Sequence, residues 1–491
     1  MRAAPPILRE MAGATPCSPH RCERQGLSMH LAADDGLLDP VWAGSRSSLD
    51  LDDRAVAHTM LRVEREWGTV CGDAGIVPRD VAAAIARAAA AVPSDDELRR
   101  IVEQTPLGGN PLIPLVSQLR ARLEDAPAAA SAVHKGLTSQ DVLDSALQLI
   151  AADAIDEHLA PDLIGAGDAA ARLAAEHRDT LAIARTLGQP ALPTTFGYRA
   201  ATWLVGVQDA LGRVREARAA LAVQLGGAVG TSASLVASGA DVDGLRAALA
   251  ARLRLSDPGR PWHTNRAIVL QLGAALAGVV AAAGTIAADV ATGSRPELGE
   301  LAEGLAEGAG GSSAMPHKRN PVRSVMLRGA ALQAPALLST LAAAAGNAVD
   351  ERPDGAWHAE WPALRGLLRL ATGAAEHLCA LLDGLTADPE RLRANLAAAG
   401  DAVLAERVVG RFADAAQGGR TGLRDAIASA ARAHGDVRAA ALAVLPDQLD
   451  GRPAADALDE AFDPRGYLGQ AQQLTDRAVA AWAEARDAAA G

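Results

Sequence analysis

An all-α protein of three helical domains, arranged round a long central bundle, is the fold that this sequence predicts. Three observations carry that expectation. Of the 491 residues 49% are hydrophobic but only 2% are aromatic, so the core must be built mostly from Ala, Leu and Val. Those are bundle materials, because Ala is the best helix former and small side chains let helix axes approach closely. Helical spacing of apolar residues dominates the chain, and neither a convincing alternating strand run nor a repeat of about 20–50 residues interrupts it.

Residues 1–28 read as a disordered tail rich in Pro, Arg and Ser, without the apolar run of a secretory signal, and Met29 is a candidate start. Cys17 and Cys22 bracket His20, but no second ligand pair follows, so no metal site is expected there. Four cysteines in a chain of this size are too few for a disulfide framework, which points to a reducing cytoplasm.

An N-terminal helical domain is expected over 29–141. Its periodicity starts near Asp52, with Val56, Met60, Val63 and Trp67 at steps of four, three and four. Long helices then fill a central domain over 142–373, broken at "LGQPALPTTFG", "LGGAVGTSAS", "SDPGRPWHT" and "GGSSAMPHKRNP". Within it, the uncharged stretch from Ala267 to Ala288 is long enough to span a bilayer. Its Ala, Gly and Gln271 content suits a central bundle helix buried on all sides better. Shorter helices make up a C-terminal domain over 374–491. A net charge of -12 argues against a nucleic-acid partner, so an anionic ligand must be met by a local cluster.

The segment "GGSSAMPHKRNP", Gly310 to Pro321, is the best candidate for such a cluster. Gly and Pro exclude it from a helix interior, and loops that gather hydroxyls and cations often carry function. It lacks the Gly-Lys pair of a phosphate loop, and the H-E-x-x-H spacing of zinc proteases is absent from the chain. A serine here can act as nucleophile or base, while Lys318 and Asn320 can hold a carboxylate and spread the charge that develops beside it. In "HKGLTSQD", Thr138 and Asp141 have the spacing of a capping box. The same helix N-terminus offers N–H groups and hydroxyls to an anion.

The twelve-residue loop closely resembles the signature of the fumarase/aspartase superfamily, which includes adenylosuccinate lyase, argininosuccinate lyase and 3-carboxy-cis,cis-muconate cycloisomerase. Supporting blocks run from about Leu38 onward: "GGNPLIPLV", "VHKGLTSQDVLDSA", "QLGGAVGT", "PWHTNR", "WHAEWPAL" and "DPERLRANL". Several of these are most similar to the muconate cycloisomerase branch. The resemblance implies a homotetramer with a multi-helix central core, each active site shared between three subunits, acting on a small dicarboxylate. It implies no cofactor, and neither a nucleic-acid nor a membrane partner. By the same resemblance Ser312 is the catalytic base with Ser313 beside it, and Thr138, Ser139, Gln140, Lys318 and Asn320 bind substrate. His134 matches a histidine that positions substrate in adenylosuccinate lyases, with a plain polar role left open. Arg323, one turn beyond the loop, is a further candidate, as are the pocket-wall residues Arg185, His317, Trp357 and His358.

One block departs from the family. Where many lyases read T-H-x-Q-x-A and muconate cycloisomerases T-W-L-Q-H-A, this chain reads "TLGQPA", with Leu187 and Pro190 at the two histidine positions. Neither residue can donate a proton, so the base half of the site is retained and the usual acid is missing. General acid catalysis contributes about 10²- to 10⁴-fold when the leaving group is strongly basic and little when it departs as a stable anion. The expected reaction is therefore elimination from a substituted succinate, most simply nitrite from nitrosuccinate, with fumarate as the other product. Thr186 and Gln189 flank the vacated positions and can bond a carboxylate or nitro group. Lactonisation of a carboxymuconate with His134 or His358 as acid, an amine-releasing lyase, and a catalytically silent structural member are the alternatives.

Overall fold

The computed structural model describes residues 36–304, 311, 315, 317–449 and 451–487. It is predominantly helical, and the first helix among the described residues, α1 (Asp53–Asp73), starts where the periodicity does: the Asp52 side chain accepts from the Ala55 N–H at 2.7 Å. Met60, Val63 and Trp67 are buried along one face, as their spacing requires. Four shorter helices follow: α2 (Arg79–Ala90), α3 (Asp95–Gly108), α4 (Leu112–Ala121) and α5 (Pro127–Ala132). In α3 a Ser94–Glu97 capping box opens the helix and Gly109, with φ of 72°, closes it in the left-handed region.

The bundle begins with α6 (Ser139–Ala154), which continues through a π-helical turn (Ile155–Leu159) into α7 (Ala160–Glu176). After a hairpin come α8 (Phe196–Ala220), the short α9 (Ala233–Ala237), α10 (Val242–Leu253) and the long α11 (Ala267–Gly293). The signature loop separates α11 from α12 (Val322–Gly346), and α13 (Gly355–Asp383) runs back beside both. Axes approach closely where side chains vanish: a Cβ on Gly284 of α11 would lie 2.5 Å from Cβ of Ala331 in α12. The last stretch holds α14 (Pro389–Ala398), α15 (Ala405–Phe412), α16 (Gly419–Arg432), α17 (Val437–Leu442), α18 (Ala454–Ala461) and α19 (Ala471–Asp487).

Two cores result. One runs from Val41 through the bundle to Leu392, and α19 returns to it with Trp482, whose Nε1 donates to Asp168 at 2.8 Å. Gly167 is required there, because a Cβ would sit 2.1 Å from the Trp482 ring. The second, built on Leu404, Val408, Phe412, Leu423, Leu458 and Phe462, belongs to α15–α18. In the first core burial pushes the Cys71 thiol up to about 12, which keeps it protonated and inert.

Two expectations need correction. The block "LGQPALPTTFG", read as a break between helices, belongs to an antiparallel hairpin of β1 (Leu181–Thr186) and β2 (Gln189–Thr195). Its strands are Ala- and Pro-rich and show no alternation. Pro190 and Pro193 are tolerated because each strand of a two-stranded ribbon has a partner on one side only. The other correction concerns α11. One stripe faces outward, with Gln271, Ala274, Ala281 and Thr285 exposed, so the helix is not enclosed on all sides by its own chain. Both α11 and α12 are long and apolar enough to cross a membrane, but they pack into the same bundle, with Leu276, Val280 and Leu327 fully buried.

Candidate active site

The α6 N-terminus is the most closely held of the predicted motifs. Asp141 is 1% exposed and accepts four hydrogen bonds. They come from the N–H groups of Thr138, Gly226 and Gly227 and from Nε2 of His263, each at 2.9 Å. One carboxylate thus ties together "HKGLTSQD", "LGGAVGT" and "PWHTNR", three blocks far apart in sequence. Its oxygens are saturated, so Asp141 organises the site without meeting a ligand. Thr138 and Ser139 remain half-buried at the helix start. The Thr138 hydroxyl accepts from Arg352, which also donates to the Ala228 carbonyl at 3.0 Å. Gln140 departs from the substrate role expected of it: it is fully buried and its amide donates to the His263 carbonyl at 2.9 Å.

Beneath this shelf lies a buried ion cluster. Arg266 donates to Asp144 at 2.7 and 3.0 Å and to Glu360 at 2.6 Å, while Trp357 Nε1 donates to Asp144 at 2.9 Å. Burial opposes charge on Arg266, but the two carboxylates outweigh it and hold the guanidinium ionised. One cation cannot neutralise two anions. Burial first, and repulsion from Asp144, raise the Glu360 carboxyl above its ordinary value against the pull of Arg266. Trp357 is therefore a brace and not a pocket wall. His358 is no free acid either, since its ring nitrogens lie 2.9 Å from the Asp354 carbonyl and 2.7 Å from that of Gly109.

The second group of motifs is gathered by two glutamates. Glu300, 1% exposed, takes Arg185 at 2.6 and 3.1 Å, Arg199 at 3.2 Å and Asn395 at 2.9 Å. Burial raises its carboxyl, but these partners prevail and hold it below the ordinary carboxylate value. Arg185 sits at the end of β1, so this pair fixes the hairpin whose tip is Leu187–Gly188, with φ of 51° and 80°. Thr186 and Gln189 pair across that turn and are exposed, as are Leu187 and Pro190. Three residues on, Glu303 caps α12, accepting from the Ser324 N–H at 2.9 Å, its hydroxyl at 2.6 Å and the Arg323 N–H at 3.2 Å. The Arg323 guanidinium donates to the Gly304 carbonyl at 3.0 Å. Arg323 thereby ties together chain segments on either side of the signature loop, where a substrate role was expected. Lys318 and His317 are exposed on that loop and Asn320 is half-buried. Ser312 and Ser313 lie outside the described residues.

The two groups do not meet within one chain. Arg266, beside Asp144 and the α6 start, precedes α11; Glu300, beside the hairpin and loop, follows it. The 27 residues of α11 put about 40 Å between them. Sequence reasoning missed Arg352, His263, Glu64, Glu300 and Glu303. His263 stands in the block "PWHTNR", a signal that could have singled it out, whereas Arg352 lies five residues before "WHAEWPAL".

A helical bundle that carries a hydroxyl-lined helix start, a signature loop and a hairpin has the features of a helical lyase fold. Residues 59–336 match the family model described as Lyase, and the chain belongs to that family, within the fumarase/aspartase superfamily. It is 41% identical to a nitrosuccinate lyase of Streptomyces davaonensis over 92% of this chain and 96% of that protein. It is 36% identical to a 3-carboxy-cis,cis-muconate cycloisomerase of Bradyrhizobium diazoefficiens, over 90% and 97% of the two chains. The solved 3-carboxy-cis,cis-muconate lactonizing enzyme of Pseudomonas putida superposes with a TM-score of 0.83 at 34% identity, covering 92% of this chain and all of that one. The protein is a lyase of this superfamily.

Proposed function

We propose that the chain eliminates nitrite from nitrosuccinate to give fumarate. Ser312, with Ser313 beside it, takes the proton next to a carboxylate. Lys318 and Asn320 hold that carboxylate and stabilise the enediolate. The C–N bond then breaks, its electron pair leaves with nitrite, and the C=C bond of fumarate forms. Thr138 and Ser139 bind the second carboxylate at the α6 start, where free N–H groups favour anions. Thr186 and Gln189 bond the nitro oxygens.

The observation that carries this reading is the hairpin tip: between Thr186 and Gln189 stand only Leu187 and Gly188, so no imidazole is available there to protonate a basic leaving group. Nitrite needs none. The relation to the Streptomyces enzyme supports the same substrate. Lactonisation of 3-carboxy-cis,cis-muconate is the second reading, favoured by the Pseudomonas putida structure.

The proposal includes a cytoplasmic homotetramer with sites shared between three subunits. Two facts support it: the half-sites lie at opposite ends of α11, and α12 exposes Val325 and Leu332. The test mixes purified protein with nitrosuccinate and follows fumarate and nitrite together. Equal release of both is expected, with Ser312→Ala lowering turnover by about 10²-fold or more while helix content is kept. Turnover of the muconate instead, with no nitrite, rejects the reading.

A further inference from the structure

Glu64 is a buried carboxylate that the proposed reaction leaves unused. It lies within α1, its side chain 1% exposed, and its Oε1 stands 2.6 Å from Nδ1 of His134. Its other oxygen, Oε2, is buried without a hydrogen-bond partner among the described residues. Leaving half a carboxylate unsatisfied in a core is costly, so a side chain that does so invites a functional explanation.

His134 is held unusually as well. Its φ of 64° places a non-glycine residue in the left-handed region, and the neighbouring Gly136 has φ of 77°. Between them the Lys135 carbonyl accepts from Trp67 Nε1 at 2.9 Å, which pins this turn to α1, the helix that carries Glu64. The His134 side chain is 18% exposed, against 1% for Glu64, so the dyad has a buried end and an open end. Four residues later stands Thr138, the first residue of the proposed anion shelf.

We propose that Glu64 is a positioning residue: by accepting the Nδ1 hydrogen it fixes the tautomer and the ring direction of His134, so that Nε2 hydrogen-bonds the substrate held at Thr138 and Ser139. With Nδ1–H committed to the carboxylate, Nε2 is the one ring nitrogen left for a ligand. The strained backbone at His134 and the half-satisfied Glu64 are then parts of one device, since each is tolerated only because the other needs it in place. This deepens the function proposed above and rests on it.

The test is a double-mutant cycle of Glu64→Gln and His134→Asn, asparagine being chosen because it accepts a left-handed φ. Gln keeps the shape of Glu64 but offers an amide that can donate to Nδ1 and select the other tautomer. Glu64→Gln is expected to lower kcat roughly 10- to 100-fold, the usual cost of losing a residue that orients a ligating histidine, with a smaller change in KM. In the His134→Asn background the same substitution is expected to change kcat no further. Native kcat in Glu64→Gln, or an equal loss in both backgrounds, overturns the proposal by showing an independent structural role. Should Glu64→Gln fail to fold, Glu64→Asp takes its place, with the same pattern required. Each protein is assayed with nitrosuccinate and with 3-carboxy-cis,cis-muconate. Conversion of the muconate alone by the native chain rejects the elimination reading, while the cycle on that substrate still decides the dyad. Conversion of neither overturns both.

Discussion

Leu187 shows what a single side chain reveals and conceals. The superfamily resemblance makes its identity informative, because histidine is the residue expected at this position. Its conformation was not legible: the tip is a two-residue turn with positive φ at both positions, the type that prefers Asn-Gly. A leucine there carries left-handed strain of about 1–2 kcal/mol, and at 104% relative exposure it has no packing in its own chain to offset it. Leu187→Asn is therefore expected to stabilise the protein by about 1 kcal/mol, read as a rise in Tm. A fall in Tm would mean that the leucine is covered by another copy, and that its role is contact. Thr138 and Asp141 were legible as a pair because capping is local. Arg352 was not, since its bond to the Thr138 hydroxyl spans 214 positions and nothing in either short motif names the other.

At the scale of elements, the joint between α6, α13 and the start of α11 depends on the Arg266 cluster. Its charges make two isosteric substitutions unequal. Asp144→Asn removes the carboxylate that receives both Arg266 and Trp357, leaving the buried guanidinium with one carboxylate in place of two, and is expected to cost about 3–5 kcal/mol. Glu360→Gln replaces a group that burial already favours in its neutral form, so its cost in the same denaturant titration should be far smaller. Equal losses would show that Glu360 carries as much of the pairing with Arg266 as Asp144 does. The long helices themselves were plain in the sequence, since α1 and α11 declare themselves by spacing and composition. The hairpin was not, because β1 and β2 consist of residues that usually argue against strands. It is held by tertiary bonds from Arg185 and Arg199 to Glu300, more than 100 residues away in each case.

For the whole molecule, the separation of the two half-sites decides how the protein can work. Thr138, Ser139 and His134 stand at one end of α11, with the hairpin and the signature loop at the other, about 40 Å away along 27 residues. A dicarboxylate a few ångströms long cannot reach both in one chain, whereas antiparallel association of copies brings opposite ends together. The outward stripe on α11 and the exposed apolar residues of α12 are the surface that the proposed association would cover. This geometry makes a prediction that no single-chain site would satisfy. Thr138→Val damages only the α6 half-site and Lys318→Ala only the loop half-site, so each variant alone is expected to be nearly inactive. When the two are unfolded together and refolded as a mixture, some sites will receive an intact α6 start from one chain and an intact loop from another. Turnover of the mixture is then expected to rise clearly above that of either variant refolded alone, with size-exclusion chromatography showing the same oligomer in all three samples. If activity stays at the level of the single variants although mixed oligomers form, each site belongs to one chain, and the bundle must bend or open far enough to close the distance that α11 now maintains.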